Sequence, residues 1–262
     1  MAEVDFLILG GGYTGRRVAA ILARQEHRVT TTSSRTFDVT QPGAWIDVPT
    51  GARVLHSIPV RAMPVAGPML RGRASRVVYL STTGVYGAAR DVDETTAIAP
   101  RNPREQVRAE EEADVLAGPW SALVLRPAAI YGPGRGVHVS LREGRHRILG
   151  DGSNYISRIH VDDLAAIAAA ALLSDLTGAY PVADEEPCTA LEMTRFCSDL
   201  LGLPVPPAAP LPDADTRSAN RRVDGRAICR ILGVTLRYPS YRVGVPASLA
   251  LSDAAPAVSP IR

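Results

Sequence analysis

The chain has 262 residues, of which 46% are hydrophobic and 21% charged, and a formal net charge of +2. That length supports one large core, or a domain with a small appendage, and the near-balanced charge excludes the broad basic footprint of a nucleic-acid or membrane-surface binder. The longest apolar run, Leu164 to Leu173, is too short to span a bilayer and no charged-then-apolar leader precedes Phe6, so a cytoplasmic protein is expected.

The first predicted element is the run Phe6-Leu-Ile-Leu9, which turns at Gly10-Gly-Gly-Tyr-Thr-Gly15 and leads into Arg16 to Ala23, apolar at helical spacing. This is strand, tight turn and helix. Gly10, Gly12 and Gly15 fit G-x-G-x-x-G, where one glycine allows the turn, one lets backbone approach a pyrophosphate, and one lets helix pack on strand. The helix N-terminus adds N–H groups and partial positive charge, so the stretch reads as a dinucleotide site.

His27 to Thr32 is rich in β-branched residues and reads as the second strand. It ends at Ser33-Ser34-Arg35, with no acidic residue between Arg28 and Phe37. Such a site holds the ribose of NAD with a carboxylate and the 2′-phosphate of NADP with an arginine. The stretch is either a plain polar turn or a 2′-phosphate site, and beside the glycine loop the second reading is preferred, giving NADP over NAD. Thr36 to Val39 looks like a strand fragment, yet only a few residues separate it from the second strand, too few for a parallel crossover. An edge strand and its helix are therefore expected to be missing between Arg35 and Arg53.

Arg53 to Ser57 is the next buried strand. Prolines 59, 64 and 68 are expected to break any helix before Arg73. Arg76 to Ser81 is a central strand that delivers Ser81-Thr-Thr-Gly-Val-Tyr-Gly87 to its carboxyl end, where ligands of open α/β sheets sit. Arg104 to Leu116 reads as a charged helix with Glu110, Glu111 and Glu112 mostly solvated. Ser121 to Arg126 is a further strand, ending in Pro127-Ala-Ala-Ile-Tyr-Gly-Pro-Gly-Arg135. The basic stretch 137–147 either faces an anionic substrate or is a solvated helix face. Ile156 to Asp163 is strand into helix, Gly178 to Val182 a late strand, Thr189 to Leu201 an amphipathic helix, and Asp224 to Leu232 a last helix. Leu203 to Pro212 reads as a linker and 247–262 as a disordered tail.

Two counts bound the chemistry. Cys188, Cys197 and Cys229 show neither metal nor redox spacing, which fits thiols in a reducing compartment and no metal site. The chain has no lysine, all 29 basic residues being arginine, so a lysine Schiff base, a phosphate-loop lysine and a catalytic ammonium are excluded.

GGGYTG, STTGVYG, LRPAAIYGPGR and RIHVDDLA, in this order and at these spacings, resemble the extended short-chain dehydrogenase/reductase superfamily, in its NAD(P)-dependent epimerase/dehydratase group. The stretch Asn220 to Gly244 further resembles an atypical subgroup typified by bacterial YeeZ-like proteins. The resemblance implies an α/β fold, a Rossmann-type doubly wound parallel sheet with a small C-terminal lobe. The core would be 1–135 with 156–182 returning to the sheet, and the lobe 136–155 and 183–246. It implies cofactor contacts from Gly10, Gly12, Tyr13, Thr14, Gly15, Ser33, Ser34, Arg35, His56, Ser57, Ile58, Ser81, Pro127 and Ile130. Tyr86, Arg135 and Arg158 would meet a small substrate, often a nucleotide-linked sugar and here anionic. The assembly would be a monomer or homodimer, the monomer favoured because Pro64 and Pro68 break a helix through which relatives pair.

The resemblance also implies a catalytic Ser/Thr, Tyr and Lys. Thr82 matches the first, whereas Asn102 and Gln106 stand where the Tyr and Lys belong. In that mechanism the tyrosine moves the hydroxyl proton and the ammonium lowers its pKa, roles that neither amide fills. Tyr86, Tyr131, Arg104 and Arg108 are the candidate stand-ins. Two functions follow from this pattern. One is an NADP-dependent oxidoreductase or epimerase with an unusual proton donor; the other is an NADP(H)-binding sensor or scaffold without turnover.

Overall fold

The computed structural model describes residues 5–33, 37–39, 41–45, 48–58, 63–210 and 219–253. The first apolar run forms β1 (Asp5–Leu9), buried on both faces as a parallel strand between helices must be. The chain continues as α1 (Gly15–Arg24) and β2 (Arg28–Thr32), then makes a 3₁₀ turn at Pro42–Trp45 before β3 (Ala52–His56). Next come α2 (Met63–Leu70), β4 (Ala74–Leu80), a short β5 (Asp91–Val92), α3 (Pro103–Leu116) and β6 (Ser121–Pro127). The second half holds β7 (Ala129–Tyr131), α4 (Val137–Arg142), β8 (Ile148–Leu149), β9 (Tyr155–Ile156), β10 (Arg158–His160), α5 (Val161–Leu173) and β11 (Gly178–Val182). It closes with β12 (Cys188–Thr189), α6 (Ala190–Leu201), β13 (Ala208–Ala209), β14 (Arg222–Val223), α7 (Arg226–Leu232) and α8 (Tyr241–Asp253).

Six strands make one parallel sheet in the order β11-β6-β4-β3-β1-β2. β1 lies between β2 and β3, so strand order reverses there, and the carboxyl ends of β1 and β3 open the crevice in which such sheets bind ligands. Alternation along the strands supplies two cores. Phe6, Ile8, Leu55, Val78, Leu123 and Leu125 pack on the α1, α5 and α7 side; Leu7, Leu9, Val54, Val77, Tyr79 and Val124 pack on the α2 and α3 side. α5 is alanine-rich and can lie close to the sheet, and two arginines finish it. Arg76, 2% exposed, donates to Ala171 O at 2.9 Å and Leu176 O at 2.6 Å, while Arg53 donates to Leu172 O at 2.7 Å. Guanidinium groups thus satisfy the carbonyls that a helix C-terminus leaves open.

β2 is an edge strand of the sheet. Phe37 to Val39 do not form the expected strand fragment, and among the described residues the stretch before β3 carries only the Pro42–Trp45 turn. Trp45 explains the difference: its ring is fully buried in the α2-side core, edge-on to Phe37 at 5.0 Å, and its indole N–H holds Val39 O at 3.2 Å. The segment plugs the sheet face instead of extending its edge.

Three other expectations are corrected. A helix does form within 59–73, since Pro64 sits in the first turn of α2, where its missing N–H has no partner to lose, and Pro68 removes a single bond. The broken helix invoked for a monomer is therefore present. The expected tail is helical as far as Asp253, held by buried Tyr241, Val245 and Ser248, the last donating to Gly244 O at 2.6 Å; residues 254–262 lie outside the described residues. Within the expected linker, Ala208 and Ala209 pair with Ile148 and Leu149. Among the described residues no helix is long and apolar enough to cross a membrane.

Candidate functional site

The glycine loop is held by backbone and hydroxyl bonds from both neighbouring strands. Gly11 N–H donates to Thr32 O at 2.6 Å, and Ser57 Oγ donates to Gly10 O at 2.8 Å and to Leu9 O at 3.0 Å. Gly10 has φ +100°, and a Cβ on Gly15 would stand 2.1 Å from Gly10 O, so both need glycine. Above Gly12 a Cβ would meet nothing within 4 Å, and Thr14, the N-cap of α1, makes no side-chain bond to the first turn. An open backbone bend before an uncapped helix fits a diphosphate. Tyr13 lies over this bend with its hydroxyl donating to Pro133 O at 3.1 Å and its ring beneath the guanidinium groups of Arg17 and Arg135, at 4.5 and 5.5 Å. Ser33 follows β2 and is exposed, whereas Ser34 and Arg35 lie outside the described residues.

His56 and Ile58 flank Ser57 at the end of β3. His56 is fully buried, edge-on to Tyr79 at 4.9 Å, and burial and the Arg108 cation push its imidazole down to about 4. Ile58 is half-buried against the α2-side core.

The end of β4 rests on a buried ionic cluster. Glu111 and Glu112, expected in solvent, are each 2% exposed, and Glu110 alone of the three is exposed. Arg126 of β6 explains the inversion for Glu112. Its guanidinium grips Glu112 at 2.7 Å and donates to the Tyr86 hydroxyl at 3.0 Å, while Ser81 Oγ donates to the same carboxylate. Beside it, Tyr79 donates to Glu111 at 2.7 Å and accepts from Arg108 at 2.5 Å. Tyr86, expected at the substrate, is fully buried, and burial raises its phenol.

Above this cluster opens a cleft of about 1110 Å³. Ser81, Thr82, Pro127, Ile130, Arg135 and Arg158 line it; Tyr86 and the glycine loop do not. Thr82 Oγ accepts from Gly84 N–H at 3.2 Å, leaving its own O–H to donate. Asn102 is at the rim, where its side chain caps α3 by accepting from Glu105 N–H at 2.9 Å, and Gln106 donates to Glu110 at 3.1 Å. Both residues at the expected Tyr and Lys positions thus serve the helix. The cleft wall carries eight arginines (101, 104, 108, 135, 145, 147, 158 and 221) against one carboxylate, Glu105. Arg221 was not anticipated; its guanidinium donates to Thr83 O at 2.7 Å and Ala89 O at 3.1 Å and pins the loop after β4. Arg158 is buried and donates to Ile156 O at 2.6 Å and Cys188 Sγ at 3.1 Å. Among the described residues no group of three or more His, Cys, Asp or Glu is placed to hold a metal.

A parallel sheet with a glycine loop at its order-reversal point defines a nucleotide-binding protein of the doubly wound class. The chain belongs to the NAD dependent epimerase/dehydratase family, whose model matches residues 51–182. A solved structure of a functionally unknown conserved protein from Silicibacter pomeroyi DSS is 33% identical with a TM-score of 0.81, covering 95% of this chain and 99% of that one. A Streptomyces sp. 3-diazoavenalumate denitrifying reductase is 33% identical over 168 residues, 61% of this chain; the match spans half the length of that curated relative. The fold is shared with dTDP-glucose 4,6-dehydratase from Bacillus anthracis str. Ames in complex with NAD, at TM-score 0.80 and 16% identity over 95% of this chain and 96% of that one.

Proposed function

We propose that this chain is an NADP(H)-dependent oxidoreductase or epimerase acting on a small anionic substrate, of which sugar nucleotides are one class. The observation that carries the reading is the cleft wall, with eight arginines facing one carboxylate next to Thr82. Guanidinium groups stay charged and match carboxylate or phosphate oxygens in paired bonds. The glycine loop from Gly10 to Gly15 would hold the cofactor diphosphate, and Ser33 to Arg35 its 2′-phosphate. The bound nicotinamide supplies or accepts hydride. Thr82 would donate its hydroxyl hydrogen to the substrate oxygen, and the stretches 136–155 and 183–246 would close over the substrate.

The test is a fluorescence titration with NADPH and NADH, followed by turnover with anionic carbonyl and sugar-nucleotide substrates. Charge-assisted bonds of roughly 1.5–3 kcal/mol make NADPH at least about tenfold tighter, and Arg35→Ala is expected to remove that preference. Equal affinity for the two cofactors refutes the NADP assignment. A second expected result concerns the loop. In Gly15→Ala the new Cβ must displace the Gly10 carbonyl, so NADPH affinity is expected to fall by more than about tenfold. Retained affinity in a folded variant would remove the loop from the cofactor site.

One observation favours the sensor reading, namely that Asn102 and Gln106 are both committed to the α3 helix. Tight NADPH binding without hydride transfer to any anionic carbonyl would establish it.

A further inference from the structure

Three guanidinium groups converge on one residue of the glycine loop. Arg17, Arg135 and Arg16 stand 4.5, 5.5 and 5.8 Å from the centroid of the Tyr13 ring. Among the described residues Asp162 is the carboxylate that pairs with any of them, 2.8 Å from Arg17, so three cations face one anion beside the bend from Gly10 to Gly15. Like charges gathered this closely repel one another, and an anionic ligand at the bend would neutralise them.

Arg135 comes from the loop after β7, and that loop is seated on Tyr13. The Tyr13 hydroxyl donates to Pro133 O at 3.1 Å, and a Cβ on Gly132 would stand 2.7 Å from that hydroxyl, so the close approach needs glycine. Gly132 N–H donates to Arg135 O at 2.9 Å and Arg135 N–H to Gly132 O at 3.0 Å, which fixes where the arginine leaves the backbone. Its guanidinium is uncommitted. Arg17 spends its donors on Asp162 at 2.8 Å and Tyr13 O at 2.7 Å. Arg135 is exposed and its side chain makes no hydrogen bond or ion pair among the described residues, so its N–H donors are left for a ligand. Arg135 also lines the cleft, whereas Arg16 and Arg17 do not. It stands where the glycine loop and the cleft meet.

We propose that Arg135 binds the diphosphate of the nicotinamide cofactor, with Tyr13 as the positioning residue that seats it. The inference rests on the reading of Gly10 to Gly15 as the cofactor loop, and gives that loop a charged partner from the far half of the chain. Backbone N–H groups supply the bend with donors and only partial charge. A guanidinium adds a full counter-charge and matches phosphate oxygens in paired bonds. The Tyr13 ring holds the cation through its face, which orients Arg135 without using any of its N–H donors. The diphosphate is common to NAD and NADP, so Arg135 strengthens both cofactors alike. The choice between them is left to the residues that follow β2.

The test is calorimetric titration of the full chain with NADPH, NADH and ADP-ribose, the last keeping the diphosphate and lacking the nicotinamide. Arg135→Ala is expected to weaken all three by one common factor of at least about fivefold, and the deficit is expected to shrink as salt is raised. Arg135→Lys is expected to recover part of it, since an ammonium keeps the charge without the paired geometry. Arg135 is exposed, so thermal unfolding of the ligand-free alanine variant is expected to match wild type. Arg16→Ala is the control for charge that is merely nearby, expected to stay within about twofold of wild type. A loss confined to NADPH, a loss below about fivefold, or an equal loss in Arg16→Ala overturns the assignment and leaves the glycine loop as the cofactor site. Intact NADH affinity in Arg135→Ala with UDP-glucuronic acid binding lost overturns it too, and places Arg135 on the substrate. If the wild-type chain binds none of the three nucleotides, the cofactor reading of the loop falls and this inference with it.

Discussion

Replacing Glu112 by alanine is expected to lower the unfolding free energy by about 3–5 kcal/mol, because it leaves the Arg126 cation buried without its partner. The carboxylate is 2% exposed and accepts three bonds from Arg126, at 2.7 to 3.2 Å, besides the Ser81 hydroxyl. Desolvating two charges costs several kcal/mol per ion, so the pair itself adds little net stability, and the damage comes from removing half of it. Urea unfolding of the Glu112→Ala variant tests this, with Glu110→Ala as the exposed control expected within about 0.5 kcal/mol of wild type. Converting both Glu112 and Arg126 to leucine is expected to recover most of the loss. If Glu112→Ala stays within about 1 kcal/mol of wild type, the buried charge is not the reason this cluster exists.

The same cluster shows which parts of the molecule were legible in the sequence. The glycine loop was readable because its requirements are local: a positive φ at Gly10 and a backbone contact at Gly15 are written in adjacent residues. Strands β1, β4 and β6 declared themselves as apolar runs. Glu111 and Glu112 did not, since three consecutive carboxylates on a helix read as solvated, and their burial depends on partners carried by two strands, the Tyr79 hydroxyl of β4 for Glu111 and the Arg126 guanidinium of β6 for Glu112. A signal existed: Arg126 ends the apolar run Ala122 to Leu125, and a charge delivered by a buried strand calls for a partner. The α2 helix was missed because two prolines outweighed the fact that one of them falls in its first turn. The arginine cleft draws on 101–108, 135–158 and 221, three stretches whose convergence only the tertiary fold creates.

A second large effect is expected from Asp184, just past the end of β11. Its carboxyl group is 2% exposed. Burial raises it from 3.8 to about 8, against the opposing pull of Arg158 and of a backbone hydrogen bond from Glu186. In the unfolded chain the group ionises near 3.8, so between about pH 4 and pH 8 the folded state holds a proton that the unfolded state has lost. Stability then falls as pH rises through this window, by up to about 1.4 kcal/mol per pH unit from this one group. Below the window both states are protonated and the contribution is fully present; above it the contribution is gone. Asp184→Asn keeps the shape of the protonated acid and has no proton to lose. The stability of the variant relative to wild type is therefore expected to climb steadily from pH 5.5 to pH 8. Other groups titrate equally in the two proteins, so the difference between their urea unfolding curves isolates this residue. Parallel curves across that range would mean that Asp184 is ionised in the folded chain, with Arg158 as its effective counter-ion.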